Sequence, residues 1–204
     1  MSLSFVNGVN GHLGYNLVRY LLDQGLAVRA SARKPEQSPF LQQLDCELIA
    51  SDITDKASLL RALQGVETCY AVGAVFRLWA ADPQAEIYEP NLLGTRNLIE
   101  AAAEAGVKRI VYVSSIAALD TQHSPMRERN GYNPDRRNAY FNSKNDGEQL
   151  AFQLAKKLGI ELVAVLPSAM IGSESPGPLS YSYELIRLIL AGEVPVETGI
   201  SLNW

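Results

Sequence analysis

The feature that most constrains this chain is its opening stretch, Ser2 to Gly14, which reads SLSFVNGVNGHLG. Leu3, Phe5 and Val6 form a short apolar run of strand-forming residues, and the run ends in Gly8, Gly11 and Gly14 in the pattern G-x-x-G-x-x-G. From Leu13 onward the apolar residues Leu17, Val18, Leu21 and Leu22 recur at a helical period, up to Gly25. A strand that feeds a glycine turn and then a helix is the geometry of a phosphate cradle. Glycines let the backbone turn tightly and approach a pyrophosphate, while the unpaired N–H groups at the positive end of the helix favour an anion. The ligand expected at Gly8, Asn10, Gly11, His12, Leu13 and Gly14 is a dinucleotide. A second strand, Ala27 to Ala32, follows in the order that a βαβ unit requires.

The bulk numbers narrow the class further. A chain of 204 residues, 47% hydrophobic, can bury one sizeable core and is expected to form one main domain. Net charge is −4 and the basic residues are scattered, whereas a nucleic-acid surface needs a basic stripe. No apolar run approaches the roughly 18 residues of a membrane span, and no basic segment precedes an apolar one at the N-terminus. A soluble, cytoplasmic protein is the expectation. Cys46 and Cys69 lie in apolar, strand-like runs and are expected to be buried free thiols. His12 and His123 have no partners at metal-ligand spacing, so no metal site is expected.

Beyond the first βαβ unit the spacing predicts a short helix up to Leu44 and a strand Cys46 to Ala50. A helix Lys56 to Leu63 follows, opened by Asp52, Thr54 and Asp55, and then a strand Glu67 to Val72. A long helical segment, Ala80 to Ala105, should kink or restart at Pro90. Arg109 to Val113 is a continuous apolar run of the kind buried on both sheet faces. A polar loop, Asp120 to Arg137, precedes a helix Asn138 to Leu158, a strand Ile160 to Leu166 and a last helix Ser182 to Leu190. This alternation predicts an α/β fold: a Rossmann-type, doubly wound parallel sheet with helices on both faces and its ligands at the carboxyl ends of the strands.

Three groups of residues at those ends carry chemistry. After the second strand come Arg33 and Lys34, with no acid until Glu36; a cation there suits the phosphate of NADP, whereas NAD would ask for an acid. NADP is the cofactor expected, with NAD as the alternative. Tyr140 and Lys144 are four apart on one helix, so the phenol and the ammonium can share a face, and a neighbouring cation would lower the phenol's pKa. Val113, Ser114 and Ser115 close the buried fifth strand and bring two hydroxyls to its end.

The glycine spacing, the Ser-Ser pair and Tyr-x-x-x-Lys together resemble the short-chain dehydrogenase/reductase superfamily, and G-x-x-G-x-x-G its extended branch. The pattern departs mildly in placing Asn7 where a Thr is familiar. The resemblance implies that Tyr140 exchanges a proton with the substrate oxygen, that Lys144 lowers its pKa and holds the nicotinamide ribose, and that Ser115 positions the substrate. It implies a cofactor-side contact for Ser114 and a nicotinamide-facing loop at Pro167, Ser168 and Met170. It also implies a wall of small residues at Val72, Gly73 and Ala74, and an adenine contact at Asp52 and Ile53, although Asp52 is equally suited to capping a helix. Phe76 to Pro83, Ile87-Tyr88 and Asn91 to Leu98 look like the dihydroflavonol-reductase-like branch, including bacterial proteins called hopanoid-associated sugar epimerases.

The activity implied is hydride transfer between the nicotinamide and a carbonyl or alcohol carbon. The alternatives are an NAD-retaining nucleotide-sugar epimerase or dehydratase, and a non-catalytic NADP-sensing module. A small carbonyl, alcohol or nucleotide-sugar substrate and a second copy of the chain are the expected partners, and neither nucleic acid nor membrane is. Residues 1–172 should form the dinucleotide-binding domain. Residues 173–204 should begin a substrate lobe that is cut short, since proteins of the extended branch typically continue for a further hundred residues or more.

Overall fold

The computed structural model describes residues 2–77, 79–172, 177 and 181–193. Six strands form one sheet: β1 Leu3–Asn7, β2 Ala27–Ala32, β3 Glu47–Ala50, β4 Thr68–Ala71, β5 Arg109–Val113 and β6 Glu161–Val165. All neighbours pair in parallel, in the order β3-β2-β1-β4-β5-β6. The helices are α1 His12–Asp23, α2 Lys56–Ala62, α3 Glu89–Glu104, α4 Ala139–Leu158 and α5 Tyr181–Leu190. This is the doubly wound Rossmann-type arrangement expected. Strand order reverses between β1 and β4, and ligands of such sheets bind at that switch point.

Successive side chains of a strand face opposite ways, and β1 at the centre of the sheet shows both cores. Phe5 is buried with Leu59, Leu63, Ile99 and Ile110 on one side; Val6 is buried with Val18, Leu21, Val28 and Leu41 on the other. The first core lies under α2, α3 and α4, the second under α1 and the segment after β2.

Several local expectations change. The helix expected before Leu44 is two 3-10 turns, Pro35–Gln37 and Pro39–Gln43, because each proline removes an N–H that a continuous helix would need. The restart at Pro90 takes the form of a π-helical turn, Gln84–Tyr88, running directly into α3 with Pro90 in its first turn. β5 is buried on one face only. Ile110 and Tyr112 are enclosed, whereas Val111 and Val113 are half-buried beside Val163 and Val165, which are 47% exposed. These valines share the face of Tyr70 and Val6, which α1 covers over β1 and β2. Cys69 is buried and its thiol is pushed up to about 12 by desolvation, but Cys46 sits just ahead of β3 and is only half-buried. Within the expected start of a substrate lobe, residues 173–176, 178–180 and 194–204 lie outside the described residues.

No helix of the described residues is long and apolar enough to cross a membrane, and none of their His, Cys, Asp or Glu side chains cluster as a metal site would require.

Candidate functional site

The site is built where the strands end, and its first part is backbone. Gly8 follows β1 with φ +69°, a left-handed conformation that favours glycine. A Cβ at Gly8 would lie 2.7 Å from the Cα of Gly73, so the loops after β1 and β4 touch at the switch point. A Cβ at Gly14 would lie 2.4 Å from the Gly8 carbonyl oxygen, so α1 can approach the turn this closely only with glycine there. Gly11 caps α1 without a side-chain hydrogen bond, which leaves the N–H groups of the helix's first turn, at His12, Leu13 and Gly14, directed to whatever occupies the turn. Asn10 is exposed on its rim.

Asn7 does more than hold its own turn. Its Oδ1 accepts from the backbone N–H groups of Val72 (2.7 Å) and Gly73 (2.8 Å), stitching β1 to the small-residue loop after β4. Val72 and Gly73 are half-buried and Ala74 is exposed along that loop. Arg33 and Lys34 are both exposed just past β2, next to the same edge. Asp52 Oδ1 accepts from the N–H and hydroxyl of Thr54 (2.8 and 2.7 Å), while Asp55 caps α2. Ile53 packs against Gly94, and its carbonyl is held by Asn97 at 3.0 Å.

The second part is made of side chains. α4 is started by Asn138, whose side chain accepts from the N–H of Phe141, and this sets Tyr140 and Lys144 on the face toward β5. The Ser115 hydroxyl reaches the Tyr140 phenol and also accepts from the N–H of Ala117, capping the turn Ile116–Ala118. Lys144 is buried and its Nζ donates to the carbonyl of Val113 at 3.1 Å. Its Nζ lies 6.0 Å from the centre of the Tyr140 ring.

The electrostatics differ from the expectation that the ammonium lowers the phenol. Burial pushes Tyr140 up to about 12, opposed only by the Ser115 hydrogen bond, and burial pushes Lys144 down to about 8, opposed by the charge of Glu148. Desolvation sets the direction for Tyr140, and the ammonium is held by the backbone carbonyl of Val113. At neutral pH the phenol therefore carries a proton that it can give.

Spacing alone carries no sign of three further residues. The Asn91 side chain accepts from the N–H of Val75 (2.7 Å) and donates to its carbonyl and to the Ser143 hydroxyl (both 3.0 Å), tying the loop after β4 to α4. Ser143 in turn donates to the carbonyl of Tyr140 at 2.8 Å. Phe76 meets the Tyr140 ring edge to face, with centroids 4.8 Å apart. Asn91 and Phe76 each begin a stretch that resembles the dihydroflavonol-reductase-like branch, a likeness that says nothing of what they touch.

The loop after β6 closes the site. The carbonyl of Pro167 accepts from the N–H of Ile116 at 3.1 Å; Ser168 and Met170 follow, half-buried. Tyr183 of α5 stacks edge to face on His12 at 5.4 Å and hydrogen-bonds Gly172, which joins this loop to the glycine turn. Between the loops after β5 and β6 lies a cleft of about 620 Å³.

A dinucleotide fits what is here. The glycine turn leaves backbone donors facing outward, and two buried polar atoms at strand ends, Ser114 Oγ and Asn7 Nδ2, have no hydrogen-bond partner among the described residues.

Residues 4–200 match the model of the NAD dependent epimerase/dehydratase family. The chain is 37% identical over 203 residues to a putative dihydroflavonol 4-reductase of Synechocystis sp., a match that takes in 97% of this chain and 58% of that protein. Among solved structures, gox2253 superposes with a TM-score of 0.83 at 31% identity, over 96% of this chain and 59% of that one. A short-chain dehydrogenase/reductase superfamily protein from Agrobacterium tumefaciens, solved with NAD, superposes with a TM-score of 0.70 at 27% identity, over 81% of this chain and 49% of that one. The chain thus spans about 60% or less of the length of each.

Proposed function

The chain belongs to the NAD dependent epimerase/dehydratase family, and from that premise we propose that it is the cofactor-binding and proton-transferring part of an NADP-dependent reductase of the extended short-chain type. The observation that carries the proposal is the convergence at one sheet edge of Ser115, a protonated Tyr140 and a buried Lys144, beside the glycine turn.

The roles follow from position. The turn Gly8 to Gly14 and the start of α1 hold the diphosphate, and Arg33 and Lys34 take the phosphate on the adenosine ribose. Asp52 and Ile53 border the adenine; Val72, Gly73 and Ala74 form the wall along which the dinucleotide lies. Val113, Ser114, Pro167, Ser168 and Met170 enclose the nicotinamide end, which when bound supplies hydride to the carbonyl carbon. Ser115 and Tyr140 both hydrogen-bond the carbonyl oxygen. As that oxygen gains negative charge, Tyr140 releases its proton to it, and the Lys144 charge favours the resulting anion. An NAD-retaining epimerase would use the same residues, but the two exposed cations after β2 favour the phosphorylated cofactor.

Tyr140→Phe tests the assignment by separating chemistry from binding. Turnover of ketones, followed by NADPH oxidation, should fall by about 100-fold to 10,000-fold, while NADPH affinity stays within about threefold. Equal turnover in the variant would contradict it.

A further inference from the structure

α4 turns a second ionisable side chain into the interior, one that the proton transfer leaves unused. Glu148 follows Lys144 by four residues, so both leave the same face of the helix, and they are 6% and 5% exposed. Oε2 of Glu148 is buried with no hydrogen-bond partner among the described residues. The Tyr132 phenol reaches the carboxyl from the loop after β5, which the bridge between Leu119 and Tyr132 closes. From β5 the Tyr112 hydroxyl lies beside the helix at Gly147, where an added Cβ would meet it at 3.0 Å, and it shares a hydrogen bond with Thr95 of α3. A buried carboxylate short of hydrogen bonds is destabilising, and an apolar side chain of similar size would avoid that cost. What offsets it is the ammonium one turn back. The other titratable groups facing the pair are Tyr140 on α4, Tyr112 on β5 and Tyr132 on the loop, all phenols that burial keeps protonated at neutral pH. Among the described residues Glu148 is therefore the charge that acts on Lys144, opposing the desolvation of its ammonium.

We propose that Glu148 is a positioning residue of the site: its carboxylate is the buried counter-charge that keeps the ammonium of Lys144 charged and seated on the Val113 carbonyl. This role rests on the proton transfer assigned to Tyr140 and Lys144, in which the ammonium favours the Tyr140 anion. Without the carboxylate the interior would favour the neutral amine, which gives that anion no charge to face.

The ammonium can be followed directly, with neither substrate nor cofactor present. The chain has six lysines, so carbon NMR of protein labelled in its lysine side chains, with Lys144→Met to identify the signal, gives the pH midpoint of Lys144. In the unaltered protein that midpoint should lie at about 8. In Glu148→Gln, which keeps the size and removes the charge, it should fall by about one pH unit or more; in Glu148→Asp, which keeps the charge, it should fall by less than about half as much. The pH at which ketone turnover declines should move down with the midpoint in Glu148→Gln, while NADPH affinity at about pH 6 stays within about threefold. A merely structural role would lower turnover at every pH and leave the decline where it was. An unmoved midpoint in Glu148→Gln, or equal falls in the Gln and Asp variants, would overturn the proposal. If Glu148→Gln alone does not fold, Lys144→Met/Glu148→Gln, which removes both charges, should fold, and failure of both would also overturn it. Midpoints that move as described in a protein that turns over no ketone would count against the reductase reading and leave the pairing of Glu148 with Lys144 standing.

Discussion

The two halves of the site are made of different material. Around β1 and α1 the proposed cradle is backbone: Gly8 and Gly14 matter for what they lack, and a single added carbon would meet main-chain atoms at 2.7 and 2.4 Å. Around β5 and α4 the site is side chain, a chain of contacts from Val75 through Asn91 and Ser143 to Tyr140, with Lys144 anchored on Val113. A backbone site is rigid and intolerant at few positions. A side-chain site is adjustable and depends on residues far apart in the chain.

The largest effect should come from the backbone half. Gly14→Ala puts its methyl carbon 2.4 Å from the Gly8 carbonyl oxygen and 3.0 Å from the Val9 Cα, neither of which can swing aside. NADPH affinity should fall by about 100-fold or more, roughly 3 kcal/mol, measured by fluorescence titration. A loss of less than about threefold would mean that the turn is not the cradle.

Next in size is Asn91→Ala, which strips partners from Val75 and Ser143. It should cost about 2 kcal/mol in denaturant unfolding. Ketone turnover should drop while NADPH affinity changes by less than about threefold, which would show that the halves are separable. Loss of both together would show that they are one unit.

Smaller, and opposite in sign for stability, is Lys144→Met. Burial takes this ammonium from the ordinary 10.5 to about 8, so the folded protein releases the proton at lower pH than the unfolded chain does. Between those values the unfolded state binds more protons, and stability should rise with pH; below about 8 the folded state bears the whole cost of the buried charge. The substitution removes that cost but leaves the Val113 carbonyl without its donor. The net expected at neutral pH is a gain of about 1 kcal/mol, with the rise between 8 and 10.5 abolished and turnover lost. In the unaltered protein turnover should decline as pH rises through about 8, because the charge that favours the anion disappears. A profile flat through that range would contradict the role given to Lys144.

The contrast also explains what could be read from the chain before its structure. Gly8, Gly11 and Gly14 announce themselves because a backbone site is written in consecutive residues at fixed spacing. Tyr140 and Lys144 were legible as a pair on one helix face, but not the direction in which burial moves their protons, because that depends on β5 and the loop above it. Asn7 was visible as a small polar residue of the turn, whereas its bond to Val72 and Gly73 spans more than sixty positions. Asn91 and Phe76 stand in stretches that carry the family resemblance, yet the chain does not show what they touch. The half-buried face of β5 was misjudged for a related reason: an apolar strand says what could be covered, not how far α1 reaches.

The central claim is that the first turn wraps the diphosphate of NADP. It is tested most directly by titrating the protein with NADPH and NADH side by side, with Arg33→Ala as the paired variant. The account predicts tighter NADPH binding in the unaltered protein and, in the variant, a loss of about tenfold for NADPH with NADH nearly unchanged. Binding of neither nucleotide, or equal losses for both, would contradict it.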